Sequence, residues 1–197
     1  RTLLPMVDAM LKNADLTIGD MDALAIAAGP GSFTGLRIGI AAVKGLAWAA
    51  DKPCLGVSTL EAMAENVAHL NGLFVGAMDA RRAQVYNAVF EAKAGSLTRL
   101  TPDRAISLEE LCAQLTGKEQ PITVLGDGGA LCHRYLTEHG VKCSLAPAPL
   151  LYQNAVGVGL AAERAYARGE AVSAQELLPM YLRPAQAERL RNAKPEP

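Results

Sequence analysis

The sequence predicts an α/β protein built on parallel strands, and three observations carry that reading. Two short apolar runs, residues 22–28 and 54–57, have the length of buried strands. A glycine-rich turn, Gly29-Pro30-Gly31, follows the first run. A long helical stretch, residues 32–50, separates the two runs, so that strand, turn, helix, strand and helix succeed one another.

Ahead of the first strand, Leu3, Leu4, Val7, Met10 and Leu11 recur at helical spacing, with Pro5 tolerable in the first turn. Pro53 ends the second helix, and Ser58-Thr59 with Glu61 cap a third that runs to about residue 69. The pattern changes at Leu73. Apolar residues 73–78 and 84–90 flank the polar Asp79-Ala80-Arg81-Arg82, which predicts a hairpin, and a strand around 97–106 extends it. Ser107 and Glu110 form a capping box for a helix ending near Thr116-Gly117. Residues 122–125 read as a strand, Gly126-Asp127-Gly128-Gly129 opens a helix to about 139, and a last helix spans about 152–168. The expected division is into lobes of residues 1–71 and 72–184, with polar residues 185–197 as a flexible tail.

Composition narrows the function. Half of the 197 residues are hydrophobic and a fifth are charged, enough to bury a core and too apolar for disorder. Nineteen basic against twenty acidic residues leave a formal charge of −1, which excludes a bulk electrostatic grip on nucleic acid. The longest uncharged stretch, 145–162, holds Pro147, Pro149, Gln153 and Asn154 and is a poor membrane span. No signal-like start is present, so a cytoplasmic protein without membrane contact is expected. Cys54, Cys112, Cys132 and Cys143 lack C-x-x-C spacing and read as reduced, buried thiols. His69, His133 and His139 lack metal-binding spacing, so no metal centre is expected.

The stretch from Gly29 to Gly39 carries the most information. It lacks the Lys-Ser/Thr of a P-loop, the third glycine of a dinucleotide fingerprint and the glycines of a nucleophile elbow. Two readings stand: a phosphate-binding turn through Gly31 and Ser32, or a structural turn. At the hairpin tip, Asp79 fits a carboxylate positioning a metal or a nucleophilic water and Arg81 and Arg82 fit a phosphate contact, or all three form a solvated turn. Within the following helix, Gly35 and Gly39 lie four apart, and Ala41, Gly45 and Ala49 form a second small-residue line. Each glycine costs about 1 kcal/mol relative to alanine, so a compensating close contact is expected. It is either with another chain's helix or with the helix's own sheet. Arg37 and Lys44, seven apart, share one face. Tyr181-Leu182-Arg183, with Arg189, Arg191 and Lys194, fits either an RNA contact or a tail of scattered charges.

The Gly29–Gly39 motif, Val57-Ser58-Thr59-Leu60, Asp79-Ala80-Arg81-Arg82 with Val85-Tyr86, and Tyr181-Leu182-Arg183 together resemble the bacterial TsaB (YeaZ) family. The match runs along the whole chain in order, and its first motif is highly specific. The resemblance implies about thirty further amino-terminal residues before Arg1. It also implies a two-lobed fold of the actin and heat-shock ATPase type, in the acetate-kinase superfamily, with ribonuclease H-like lobes. The role it implies is non-catalytic. The chain would activate the transferase TsaD, which passes threonylcarbamoyl from its adenylate to the adenine beside the tRNA anticodon. TsaD would dock through Leu4, Val7, Met10, Leu11, Gly35, Leu36, Gly39, Val43 and Gly45. Gly39→Leu is then expected to weaken docking without unfolding the monomer. The ATPase TsaE would join, the chain alone would form homodimers, and tRNA would be met only through the complex. No resident cofactor is implied; ATP or ADP would sit at the complex interface. The two histidines, four residues apart, that bind metal in the catalytic paralogue have no counterpart here. The rivals are an ATP-dependent small-molecule kinase or ATPase of the same superfamily, and a peptidase.

Overall fold

The computed structural model describes residues 3–183. The helices are α1 (Leu3–Asn13), α2 (Phe33–Ala50), α3 (Thr59–Glu65), α4 (Leu108–Leu115), α5 (Gly129–Glu138), α6 (Ala148–Leu151) and α7 (Ala155–Ala167). The strands are β1 (Leu24–Gly29), β2 (Cys54–Ser58), β3 (Gly72–Asp79), β4 (Gln84–Lys93), β5 (Ser96–Arg99), β6 (Arg104–Ser107), β7 (Ile122–Leu125) and β8 (Cys143–Leu145).

β1 and β2 pair in parallel, Leu24 opposite Cys54 and Ala27 opposite Val57. Alternation along these strands gives each face its own cluster. Leu24, Ile26 and Cys54 pack with Ile40 and Ala47 of α2, whereas Leu55 and Val57 pack with Ala62 of α3 and Ala161 of α7. The larger sheet runs β5-β4-β3-β7-β8. β4 runs antiparallel to its neighbours β5 and β3, and the last two strands are parallel to β3. One face packs Val75 and Ala77 against Leu111 and Leu136; the other packs Phe74 and Phe90 against Leu60, Met63 and Val67. The short helix α3 therefore lies between the two sheets, with six of its seven residues buried.

The chain after residue 154 returns to the first sheet. Val172 bridges Cys54, and the Met180 N–H donates to the Ala28 carbonyl at 2.8 Å.

Most predicted elements appear within a residue or two. The strand expected near 97–106 is instead two, β5 and β6, laid end to end along β4. Pro102 has no N–H for the ladder, and the Thr101 hydroxyl takes the Val89 N–H at 2.8 Å in the gap. The α3 helix stops at Glu65, and residues 66–70 tighten into turns bonded to the third residue back. The last helix starts at Ala155, not Tyr152, because the Asn154 side chain caps it by accepting the Gly157 N–H at 2.9 Å. β8 and α6 were not signalled by the sequence pattern. All four cysteines are free; Cys54, Cys112 and Cys132 are buried and Cys143 half-buried.

Candidate functional site: a cleft at the strand ends and an exposed helical face

β1, β3 and β7 all end on one side, and the turns that follow them enclose a cleft of about 400 Å³. Crevices outside the carboxyl ends of parallel strands are the usual ligand position in such sheets. Gly31 and Ser32 come from the first turn, Asp79 and Arg81 from the hairpin, and Asp127 from the turn after β7. Tyr181 and Arg183 complete the wall.

Backbone geometry explains the glycines here. Gly29 has φ +138°, and a Cβ on it would collide with the Met180 carbonyl oxygen. A Cβ on Gly128 would stand 2.8 Å from the Asp79 backbone nitrogen. That closeness lets the Asp79 N–H donate to Asp127 Oδ1 at 3.3 Å, while Asp79 Oδ1 accepts the Arg81 N–H at 2.7 Å. Arg81, Arg82 and Ala83 are all left-handed, at φ 63°, 57° and 54°, which turns the tight loop between β3 and β4. Ser32 caps α2, its hydroxyl accepting the Gly35 N–H at 3.4 Å.

Of the proposed phosphate contacts, Gly31, Ser32, Asp79 and Arg81 thus line one cleft, and Arg82 stands outside its lining. Among the described residues, no group of three or more His, Cys, Asp or Glu side chains is placed to hold a metal ion. Sequence reasoning did not assign Phe33 or Tyr86 to this cleft, and it did not foresee the partner of Arg37. Arg37 Nε donates to the Tyr181 phenol oxygen at 3.0 Å, and its guanidinium lies 4.0 Å over the Phe33 ring. Lys44, on the same helix face, donates to the carbonyls of Gln175 and Leu177 at 3.0 and 3.2 Å. The pairing of Arg37 and Lys44 was legible from spacing; the segment they hold was not. The tail residues Arg189, Arg191 and Lys194 lie outside the described residues.

The second surface is apolar. No residue of α1 is buried, and α2 buries only Ile40 and Ala47. Met6 of α1 and Trp48 of α2 are each 66% exposed, with Leu4, Met10 and Ile38 exposed beside them in sequence. Val7, Leu11 and Leu36 are half-buried. The small residues of α2 divide. Gly45 faces open space and Gly35 its own cap, whereas a Cβ on Gly39 would stand 2.9 Å from Ile26 Cδ1. Val43 packs into the cluster of Ile40 and Ala47. Val43 therefore serves the contact of α2 with its own sheet, and a bulky residue at 39, which the resemblance sets against a partner, must first displace the end of the Ile26 side chain. No described helix is long and apolar enough to cross a membrane.

With this geometry, comparison with known proteins is informative. Residues 1–189 match the family profile described as "TsaD: tRNA N6-adenosine threonylcarbamoyltransferase". The tRNA threonylcarbamoyladenosine biosynthesis protein TsaB of Bacillus subtilis strain 168 is 34% identical over 187 residues, covering 94% of this chain and 80% of that protein. The tRNA N6-adenosine threonylcarbamoyltransferase of Bifidobacterium adolescentis is 44% identical over 54 residues, 27% of this chain and 16% of that one. The structure of YeaZ from Pseudomonas aeruginosa superposes with a TM-score of 0.78 at 31% identity, covering 91% of this chain and 82% of the other. The fold is thus the two-lobed actin-like ATPase type, and the antiparallel-then-parallel order of the larger sheet is that of a ribonuclease H-like lobe. Similarity to TsaB over 94% of the chain, against a 54-residue stretch shared with that transferase, places the chain in the TsaB (YeaZ) family of tRNA threonylcarbamoyladenosine biosynthesis proteins.

Proposed function

We propose that the chain is a non-catalytic scaffold that activates a TsaD-type transferase in threonylcarbamoylation of the adenine beside the tRNA anticodon. The carrying observation is the exposed apolar face of α1 and α2, where Met6, Met10, Ile38 and Trp48 all stand more than 60% exposed. Large apolar side chains left exposed on two helices support a protein–protein contact, and Gly45 leaves room for a helix to approach. The match of residues 1–189 to a transferase family profile supports a pseudo-symmetric contact, helices against equivalent helices. In this reading Leu4, Val7, Met10, Leu11, Gly35, Leu36 and Gly45 carry the interface, and two copies pair through the same face when TsaD is absent. TsaE joins the assembly, tRNA is met only through it, and the protein works in the cytoplasm.

Gly31, Ser32, Asp79 and Arg81 are proposed as contacts for the phosphates of ATP or ADP held at the complex interface. The two lobes are proposed as residues 1–71 and 72–184, α7 and the segment after it returning to pack on the first. Light scattering on the protein alone and mixed with TsaD from the same organism tests the scaffold reading. The expected result is a homodimer that converts to a one-to-one heterodimer. No complex with or without nucleotide, together with ATP turnover by the protein alone, would overturn it in favour of a kinase or ATPase.

A further inference from the structure

Residues 180–183 join the docking helix to the far wall of the cleft. At one end the Met180 N–H pairs with the Ala28 carbonyl, and Tyr181 stacks on Phe33 with centroids 4.9 Å apart while accepting the Arg37 Nε–H. At the other end Arg183 donates to the Ala80 carbonyl at 2.8 Å and lies 5.8 Å over the Tyr86 ring. Both ends line the same cleft, so the separation of its first turn from its hairpin is bridged by four residues. Apart from the Met180–Ala28 backbone bond, the segment is held by side chains, and the Tyr181–Phe33 stack is partly open to water, Tyr181 being 39% and Phe33 36% exposed. Such contacts are made and broken far more easily than the buried clusters beneath them.

We propose that residues 180–183 form a releasable strap across the cleft, through which events on α2 reach the hairpin at Asp79 and Arg81. Phe33 and Arg37 sit on the same helix as Ile38, two turns short of Gly45, so a partner covering α2 meets the latch that holds Tyr181. Loosening that latch frees the strap, and with it the Arg183 contact that restrains the left-handed hairpin. Coupling of this kind is reciprocal: cutting the Arg183 end must loosen the first turn as well. The proposal extends the docking reading above, but the strap itself is tested in the isolated protein.

The experiment is hydrogen–deuterium exchange on the wild-type chain, Tyr181→Ala and Arg183→Ala, with thermal melts as a control for folding. Tyr181→Ala is expected to raise exchange across residues 79–83 by about fivefold, the scale of losing one exposed cation–aromatic contact, and Arg183→Ala to do the same across 29–33. Exchange across residues 72–78 and in β7 should stay unchanged in both. A rise confined to residues 180–183 would overturn the strap, because the segment would then be a passive cover. If either variant melts early, Tyr181→Phe, which removes only the Arg37 hydrogen bond, supplies the reading on 79–83. A wild-type chain that binds TsaD with no change at 79–83 would also overturn the coupling, whereas failure to bind TsaD would strike the docking reading and leave the strap result standing.

Discussion

Gly157 of α7 lies so close to α3 that a Cβ on it would collide with the Ala62 carbonyl oxygen, and both residues are buried. This contact fastens the returning carboxy-terminal helix to the helix held between the sheets. Gly159, two residues on, has open space around its missing side chain. The two glycines should therefore respond oppositely. Gly157→Ala must push the backbones of two helices apart and is expected to cost about 1–3 kcal/mol, the scale of overpacking a well-filled core. Gly159→Ala should be neutral or stabilise by up to about 1 kcal/mol, from helix propensity alone. Urea midpoints of the two variants decide the matter; equal shifts would mean that α7 does not pack as described.

That contrast shows where sequence reading stops. Local rules found the Ser107–Glu110 capping box, the Gly126–Gly129 junction and both strand–turn–helix units, because caps, glycines and short apolar runs act within a few residues. They could not say that Gly157 meets Ala62 or that Arg37 meets Tyr181, contacts fixed by a chain that leaves the first sheet and returns a hundred residues later. Gly39 and Gly45 look alike in a small-residue pattern; only packing against Ile26 tells them apart. The cleft was half legible. Gly31, Ser32, Asp79 and Arg81 were singled out one by one, and the strand order that gathers them was not.

The same distinction sets the interface test. Gly45→Leu projects a side chain into open space beside Trp48, and should weaken self-association and TsaD binding about tenfold or more, the usual loss at an interface hot spot. Its melting temperature should be no lower than wild type, leucine being the better helix former at an open position. Gly39→Leu should instead lower stability through Ile26, and any loss of binding would follow from that. Sedimentation velocity with parallel melts separates them. Unchanged association in Gly45→Leu would move the contact off this face.

Glu65 and Arg164 form an ion pair between α3 and α7. The Glu65 side chain is 2% exposed, with Oε1 lacking a donor among the described residues, while Arg164 keeps 40% of its side chain in water. Burial is thus one-sided. Arg164→Ala strands a carboxylate in the interior and is expected to cost about 2–3 kcal/mol, discounted for the exposed partner. Replacing both, as Glu65→Leu with Arg164→Leu, should recover most of that loss, since no charge remains to be desolvated. A double variant as unstable as Arg164→Ala would show that packing, not charge, holds α7 there.

Asp20, Glu110 and Glu176 share one arrangement, each accepting hydrogen bonds from a Thr or Ser three residues earlier. Those bonds hold all three carboxyls below their ordinary values of 3.8 for Asp and 4.5 for Glu. A carboxylate with a lowered folded pKa gives stability that is complete above its unfolded value and is lost as pH falls through the folded one. Stability should accordingly be level from neutral pH to about 5 and then fall on further acidification. Glu110→Gln should flatten part of that fall while lowering stability at pH 7. An acid limb of unchanged slope in this variant would remove the capping box from the account.

Cys132 behaves in the opposite sense. Burial, with a smaller contribution from nearby Cys143, pushes its thiol from 9.0 up to about 12. Above pH 9 the unfolded chain loses this proton while the native chain keeps it, so the unfolded state binds fewer protons and stability falls as pH rises toward 12. Cys54 and Cys143 are raised by burial too and add to the same slope. Because the thiolate is the reactive form, Cys132 should also resist alkylation at pH 9 in the folded protein and react once urea unfolds it. Iodoacetamide labelling followed by peptide mass analysis reads this directly. Fast labelling of Cys132 in the native protein at pH 9 would mean that the core between α4, α5 and the larger sheet opens far more often than its packing implies.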